Sequence, residues 1–154
     1  ATAPRMQARD LRATYLKELS VEYAPGLPRR QLGGVVDDFF ARGLLASGGL
    51  RKKATLSLLW TTRNWQVGWR VRYLDGYYLD DDKALIPSLG SSMVKSQAYN
   101  DLFLGYTMGE NTDIRFSWSN IFDREPPIDN AAPGYSRFAD PRQPGYGLTL
   151  SHSF

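Results

Sequence analysis

Apolar and polar residues alternate with period two along most of this chain, the spacing that places every second side chain of a β-strand on one face. Residues 65–73 (WQVGWRVRY) show it most clearly. Trp65, Val67, Trp69, Val71 and Tyr73 share one parity, and Gln66, Gly68, Arg70 and Arg72 the other. Residues 54–60 set Ala54, Leu56, Leu58 and Trp60 against Thr55 and Ser57, with Leu59 a misfit. Residues 101–108 align Leu102, Leu104, Tyr106 and Met108, and residues 114–118 align Ile114, Phe116 and Trp118 against Arg115 and Ser117. The stretch 145–154 (GYGLTLSHSF) carries Tyr146, Leu148, Leu150 and Phe154 on one parity and mostly small residues on the other.

The first 50 residues are less regular. Tyr15, Leu19, Val21 and Tyr23 share a parity with Lys17, residues 25–30 read as a turn, and residues 31–40 read as a strand weakened by Gly33 and Gly34. A helix over 11–21 competes with the first of these strands. The pattern predicts an all-β, antiparallel up-and-down meander of about seven strands, forming an incomplete part of a transmembrane β-barrel. Residues 1–12 are expected to be a loop or truncated strand, and 13–154 to form the wall. Connections after residues 24, 62 and 108 are short, and those at 42–51, 79–97 and 123–143 are long. Short and long alternate strictly, as in outer-membrane barrels with short periplasmic turns and longer extracellular loops.

Composition narrows the chemistry. The chain has 154 residues, 42% of them hydrophobic, enough for one domain. No apolar run approaches the ~18 residues of a membrane-spanning helix, a test that barrel strands escape because half of each is polar. Cysteine is absent, so no disulfide or thiolate metal site exists. The net charge is +3, but basic residues are dispersed apart from Arg29-Arg30 and Arg51-Lys52-Lys53, and no nucleic-acid stripe results. There is no phosphate-binding glycine loop, HExxH pair or nucleophile elbow, so neither enzyme activity nor a cofactor is expected. The opening ATAPRM lacks an initiator Met and a secretory apolar region, consistent with a processed leader or a piece of a longer chain.

Which solvent the apolar parity meets follows from size and charge. No charged residue occupies that parity in the five clearest strands. A midplane Arg or Lys on a lipid face costs roughly 2–4 kcal/mol, although a packed interior excludes charge too. The rings of Trp60, Trp65, Trp69, Tyr106, Phe116, Trp118 and Phe154 would overpack a small closed lumen. The apolar parity is therefore expected to face lipid, with Arg70, Arg72 and Arg115 facing a polar lumen. Strands of about ten residues, tilted ~40°, span about 25 Å, the height of such an apolar band. Trp60 and Trp65 near one end, and Tyr73, Tyr77, Tyr78 and Tyr146 near the other, would form two aromatic girdles.

Residues 120–127 (NIFDREPP), the element Asp140-Pro141-Arg142, and a last strand ending in an aromatic follow one another in this order. Together they resemble the C-terminal end of TonB-dependent outer-membrane receptors, in which an Asn-(Leu/Ile)-Phe-Asp-(Lys/Arg) segment closes the penultimate strand. Asn120, Ile121, Phe122, Asp123, Arg124 and Pro127 carry this motif here. The resemblance implies a plugged barrel of about 22 strands, of which this chain is roughly a third. It implies uptake of siderophore-iron, cobalamin or glycan-type ligands at the Gram-negative outer membrane, with a plug domain and a coupling motif outside this chain. Implied partners are outer-membrane lipid and lipopolysaccharide, the rest of the barrel and its plug, the periplasmic energy-coupling protein, and the barrel-assembly machinery. That machinery would read Tyr146, Leu148, Leu150 and Phe154. His152 stands where the family has an apolar residue.

Further candidates are weaker. Asp80, Asp81 and Asp82 head a long loop and could contact ligand or a cation. Tyr135 and Phe138 could contact ligand in the 123–143 loop, and Arg51-Lys52-Lys53 could meet lipopolysaccharide phosphates. Arg70, Arg72 and Arg115 could pair with an acidic plug or rest in lumen water. Alternative readings are a complete eight-stranded outer-membrane barrel of structural or adhesive role, and a soluble lipocalin-like binder with its apolar face inward.

Overall fold

Cross-strand pairing joins the alternating segments into one sheet. The computed structural model describes residues 5–22, 24–35, 49–79, 93–128, 135–136 and 138–153. The described chain is all β, with strands β1 (Arg5–Tyr15), β2 (Ser20–Val21), β3 (Arg30–Gln31), β4 (Lys52–Thr61), β5 (Trp65–Leu74), β6 (Tyr77–Tyr78), β7 (Met93–Val94), β8 (Gln97–Met108), β9 (Thr112–Ser119) and β10 (Gly145–His152). Six of them form an antiparallel meander in the order β1-β4-β5-β8-β9-β10. Every neighbour in the sheet is thus the next long strand in the chain. β1 and β10 are opposite edges and the sheet is not closed into a barrel.

The register carries the alternation across the sheet. Leu58 pairs with Trp69, Trp69 with Leu102, Leu102 with Trp118 and Trp118 with Tyr146. One row of large apolar residues therefore crosses five strands on a single face. The opposite face carries rows such as Ser57, Arg70 and Asp101. Within the apolar face the Asn100 amide accepts a hydrogen bond from the Trp69 indole N–H at 3.1 Å.

The N-terminal expectation needs correction. A long strand occupies Arg5–Tyr15, where a loop or truncated strand and then a strand from Tyr15 were expected, and residues 11–21 contain no helix. The cause of the misreading is a β-bulge. The ladder pairs Ala8 with Leu58 and then Asp10 with Ser57, leaving Arg9 over. One extra residue exchanges the faces of everything after it. Leu11 then pairs with Leu56 and Ala13 with Ala54, on the apolar side, although Leu11 and Ala13 share a sequence parity with Arg9. The expected strands near 15–23 and 31–40 reduce to the two-residue ladder β2–β3, and 36–40 lie outside the described residues.

The connections alternate in length, although the short link expected after residue 24 falls within the first long connection. β4–β5 and β8–β9 are joined by the three-residue turns 62–64 and 109–111, whereas residues 16–51, 75–96 and 120–144 form the long connections. All three long ones leave from the same end of the sheet. The buried apolar side chains Leu32, Tyr77, Leu79, Val94 and Tyr99 gather there rather than on the apolar face. Tyr77, Leu79 and Val94 pack together, with Leu50 and Phe138 against them. Tyr78 N–H donates to Gly34 C=O at 2.9 Å, and Tyr77 O–H donates to Ser136 Oγ at 2.8 Å, so the three connections hold one another. Tyr77 thereby leaves the expected girdle for the loop core. The apolar face itself is open: Leu148 is 74% exposed, Leu150 68% and Trp69 41%.

Deleting Arg9 is expected to turn Leu11, Ala13 and Tyr15 toward the polar side or detach them from β4. Hydrogen exchange should then lose protection at residues 11–15 while Leu102 and Leu104 in the sheet centre keep theirs. Unchanged protection at 11–15 would contradict the bulge.

Candidate functional site

The polar face and its loop end hold the ionic chemistry. Arg72, on β5, reaches Asp140 Oδ2 through one terminal nitrogen at 2.6 Å and Asp101 through the other at 3.4 Å. Its guanidinium lies 5.5 Å from the centre of the Tyr99 ring. Arg142 grips the same Asp140 carboxylate with two bonds, Nε to Oδ1 at 2.8 Å and a terminal nitrogen to Oδ2 at 2.7 Å. Pro141 between them removes a backbone donor and fixes the local turn. These hydrogen bonds, from Arg142 first and Arg72 next, outweigh the burial of Asp140 and hold its carboxyl well below the usual carboxylate range. Asp140 in turn raises Arg142. The result is a clamp tying residues 138–142 to the wall.

Asp101 links this clamp to the end of β9. Its Oδ1 accepts the Asn120 backbone N–H at 3.1 Å. Asn120 is buried and left-handed, with φ of 50°, a conformation Asn tolerates better than most residues. Its side chain brackets the Arg124 backbone, donating to the carbonyl at 3.1 Å and accepting from the N–H at 2.9 Å. Asp123 is also left-handed, with φ of 47°. Arg124 Nε donates to buried Gln97 at 3.2 Å, and Ile121 N–H donates to Asn100 C=O at 2.9 Å. A tight turn thus closes against the start of β8. Phe122 is exposed, and Pro127 C=O accepts from Ser136 N–H at 2.9 Å.

Beyond the clamp, a trough of about 730 Å³ crosses the polar face from Arg9 on the β1 bulge to Gly147 on β10. A cavity shared by strands across the whole sheet requires the sheet to curve toward that face. Arg70 and Arg115 line it, joined by Ser57, Gln66 and Ser117.

The sequence-derived candidates distribute as follows. Arg70, Arg72 and Arg115 share the polar face, but only Arg70 and Arg115 point into the open trough, since Arg72 is held by acids of this same chain. Tyr146, Leu148 and Leu150 are exposed on the apolar face of β10, while Phe154 lies outside the described residues. Asp80, Asp81 and Asp82 also lie outside them. Phe138 packs edge-on against Tyr77, with centroids 5.4 Å apart, whereas Tyr135 is exposed beside its bridge to Ile128. The His152 ring Nδ1 is 2.9 Å from Thr112 Oγ1 at the short-turn end. Sequence reasoning missed Asp101, Asp140 and Arg142 as the partners organising Arg72. The polar-parity position of Asp101 and the Asp-Pro-Arg element were its only available signals. Among the described residues no group of three or more His, Cys, Asp or Glu is placed to hold a metal.

Replacing Asn120 with Ala is expected to cost about 1–3 kcal/mol, because the buried amide is lost and two Arg124 backbone groups lose their partner. Denaturant midpoints would check this, with Asn120→Asp falling between. The clamp has a defined pH sense. A carboxyl whose folded value is depressed stabilises fully above its unfolded value and loses that contribution as pH falls. Exchange at Ala139 and Arg142 is therefore expected to accelerate below the ordinary carboxylate range, and Asp140→Asn to remove the pH dependence. No family model, curated protein or solved structure matches this chain.

Proposed function

We propose that this chain forms part of the wall of an outer-membrane β-barrel of the TonB-dependent receptor type, serving active uptake of ligands such as siderophore-iron, cobalamin or glycans. One observation carries the reading: an apolar face that no other part of the described chain covers, running from Leu11 on β1 to Leu150 on β10 with Lys52 at the loop end of β4, on a sheet whose other face is polar and concave. Exposed apolar patches on water-facing proteins rarely exceed a few hundred Å². A lipid face needs such a surface, and needs strands of this length. Among the described residues no helix is long and apolar enough to cross a membrane, a statement that does not bear on strands.

Other features support it. All long connections lie at one end, and rings sit near both ends, with Trp65 against Tyr106 at one and Trp118 against Tyr146 at the other. An unpaired amide facing lipid would be costly, and Asn100 is paired with Trp69. The receptor family is favoured by the ordered motifs, which meet at one place on the wall: the turn of Asn120 and the clamp of Asp140 share Asp101 through Arg72. In this reading the two sheet edges pair with further strands, the charge run Arg51-Lys52-Lys53 lies on the lipopolysaccharide side, and energy coupling and assembly proceed through the partners the resemblance implies. An open sheet favours a wall segment over a complete eight-stranded barrel, and the exposure of Trp69 favours it over an inward-facing binder.

Reconstituted into vesicles of brominated phospholipid, the protein is expected to lose most of its tryptophan emission, with little quenching by aqueous acrylamide. The reverse pattern would exclude a lipid-facing sheet. Two substitutions add magnitude. Leu104→Arg, in the middle of the face, is expected to cost roughly 2–4 kcal/mol of stability in bilayers. Trp69→Phe orphans the Asn100 amide and is expected to cost about 1–3 kcal/mol there, recovered when Asn100→Leu is added.

A further inference from the structure

Two large apolar side chains break the polar parity of the concave face. Leu59, the misfit of its strand, and Phe103 flank Gly68 in one row of the register, which continues to Ser117 and Gly147. Gly68 leaves the space between them open, and a Cβ there would touch the Phe103 side chain at 3.4 Å, an ordinary packing distance. A Cβ on Gly147 would stand 2.7 Å from Ser117 Oγ. The row is thus a low, apolar strip at the bottom of the trough, half-buried and lacking a covering side chain from the glycines beside it.

Guanidinium groups stand on either side of this strip. Arg70 pairs in register with Asp101 toward the loop end, and Arg115 pairs with Gly105 toward the short-turn end. Four residues of β8 separate the two rows, or about 13 Å along the strand. Neither arginine has a carboxylate partner among the described residues, and Arg9, at the trough margin, has none either. The one acid lining the trough, Asp101, is already held by Arg72 and the Asn120 N–H. The volume falls within the range of small-molecule sites.

From this juxtaposition we infer that the trough binds an anionic ligand with a flat aromatic or apolar body, the body lying on Phe103 and Leu59 over Gly68 and its anionic groups reaching Arg70 and Arg115. Stacking and charge then act on different parts of one molecule, so neither a bare anion nor a neutral ring satisfies the site. The inference stands on the polar face alone and does not need the opposite face to meet lipid.

Naphthalene-1,5-disulfonate, an aromatic body with an anion at each end, serves as the probe, titrated into the protein in non-ionic detergent. Saturable binding is expected. Arg70→Gln and Arg115→Gln should each weaken it about tenfold or more, as loss of a charge-assisted hydrogen bond implies. Phe103→Ser should do likewise and Phe103→Tyr should retain binding, with far-UV circular dichroism confirming the fold of each. Leu148→Ser, on the other face, should change nothing. Inorganic sulfate binding as tightly as the probe would overturn the proposal in favour of charge alone. Binding insensitive to Arg115→Gln and Phe103→Ser, or tight binding of an acidic peptide with none of the probe, would overturn it as well. Lipid quenching of the tryptophans is read separately, so failure of this site and failure of the wall reading are distinguishable.

Discussion

One constraint governs this molecule: a β-sheet has two faces, and a side chain's face is decided by counting. The register keeps the large apolar residues, Leu59 and Phe103 excepted, together on one side of six strands and the arginines, serines and glycines on the other. A slip of one residue in β5 or β9 would place an arginine on the face that holds the tryptophans. The bulge at Arg9 shows how strictly the count is kept. There the chain inserts one residue, and the sequence beyond it is written in the opposite parity, so that Leu11 and Ala13 rejoin Leu56 and Ala54 on the apolar side.

The sheet lacks a core of its own, because its apolar face is uncovered. Ordered packing sits instead in the long connections, where Tyr77, Leu79, Val94 and Leu32 are buried and Tyr99 anchors the start of β8. Two polar devices join that cluster to the wall. Asn120 substitutes its amide for a strand partner along the Arg124 backbone, and Asp140 is gripped by arginines from two different segments. Charge-assisted bonds of this kind are shorter and stronger than neutral ones, and Asp140 is mostly shielded from water, so screening weakens them little. Residues 138–141 are thereby held over the polar face beside Arg72 and Tyr99.

The two faces define separate chemistry. The apolar one calls for an acyl-chain environment, on which the proposed place in an outer-membrane wall rests. The polar one offers two guanidinium groups, Arg70 and Arg115, with no carboxylate partner among the described residues, around an apolar strip, which suits a flat anion. Glycine lowers the floor of the strip, since Gly68 adds no side chain between Leu59 and Phe103 and a Cβ on Gly147 would press on the Ser117 hydroxyl.

Much of this was legible in the alternation itself. The strands read at 65–73, 101–108 and 114–118 and their antiparallel succession follow from period-two patterning and turn residues, which are local properties; pairing extends the second back to Gln97 and the third back to Thr112. The shared face of Arg70, Arg72 and Arg115 follows equally, because parity fixes it within a strand. Three things required the tertiary structure. A bulge is invisible to a fixed period, so β1 was hidden until its partner β4 supplied the register. Arg72 differs from Arg70 only through Asp140, which lies 68 residues away, a contact no local pattern encodes. Leu59 looked like an error within its own strand, and Phe103, on a strand paired two places away, makes it part of a surface. Local spacing decides which face a residue occupies; only pairing between distant strands decides what else stands on that face beside it.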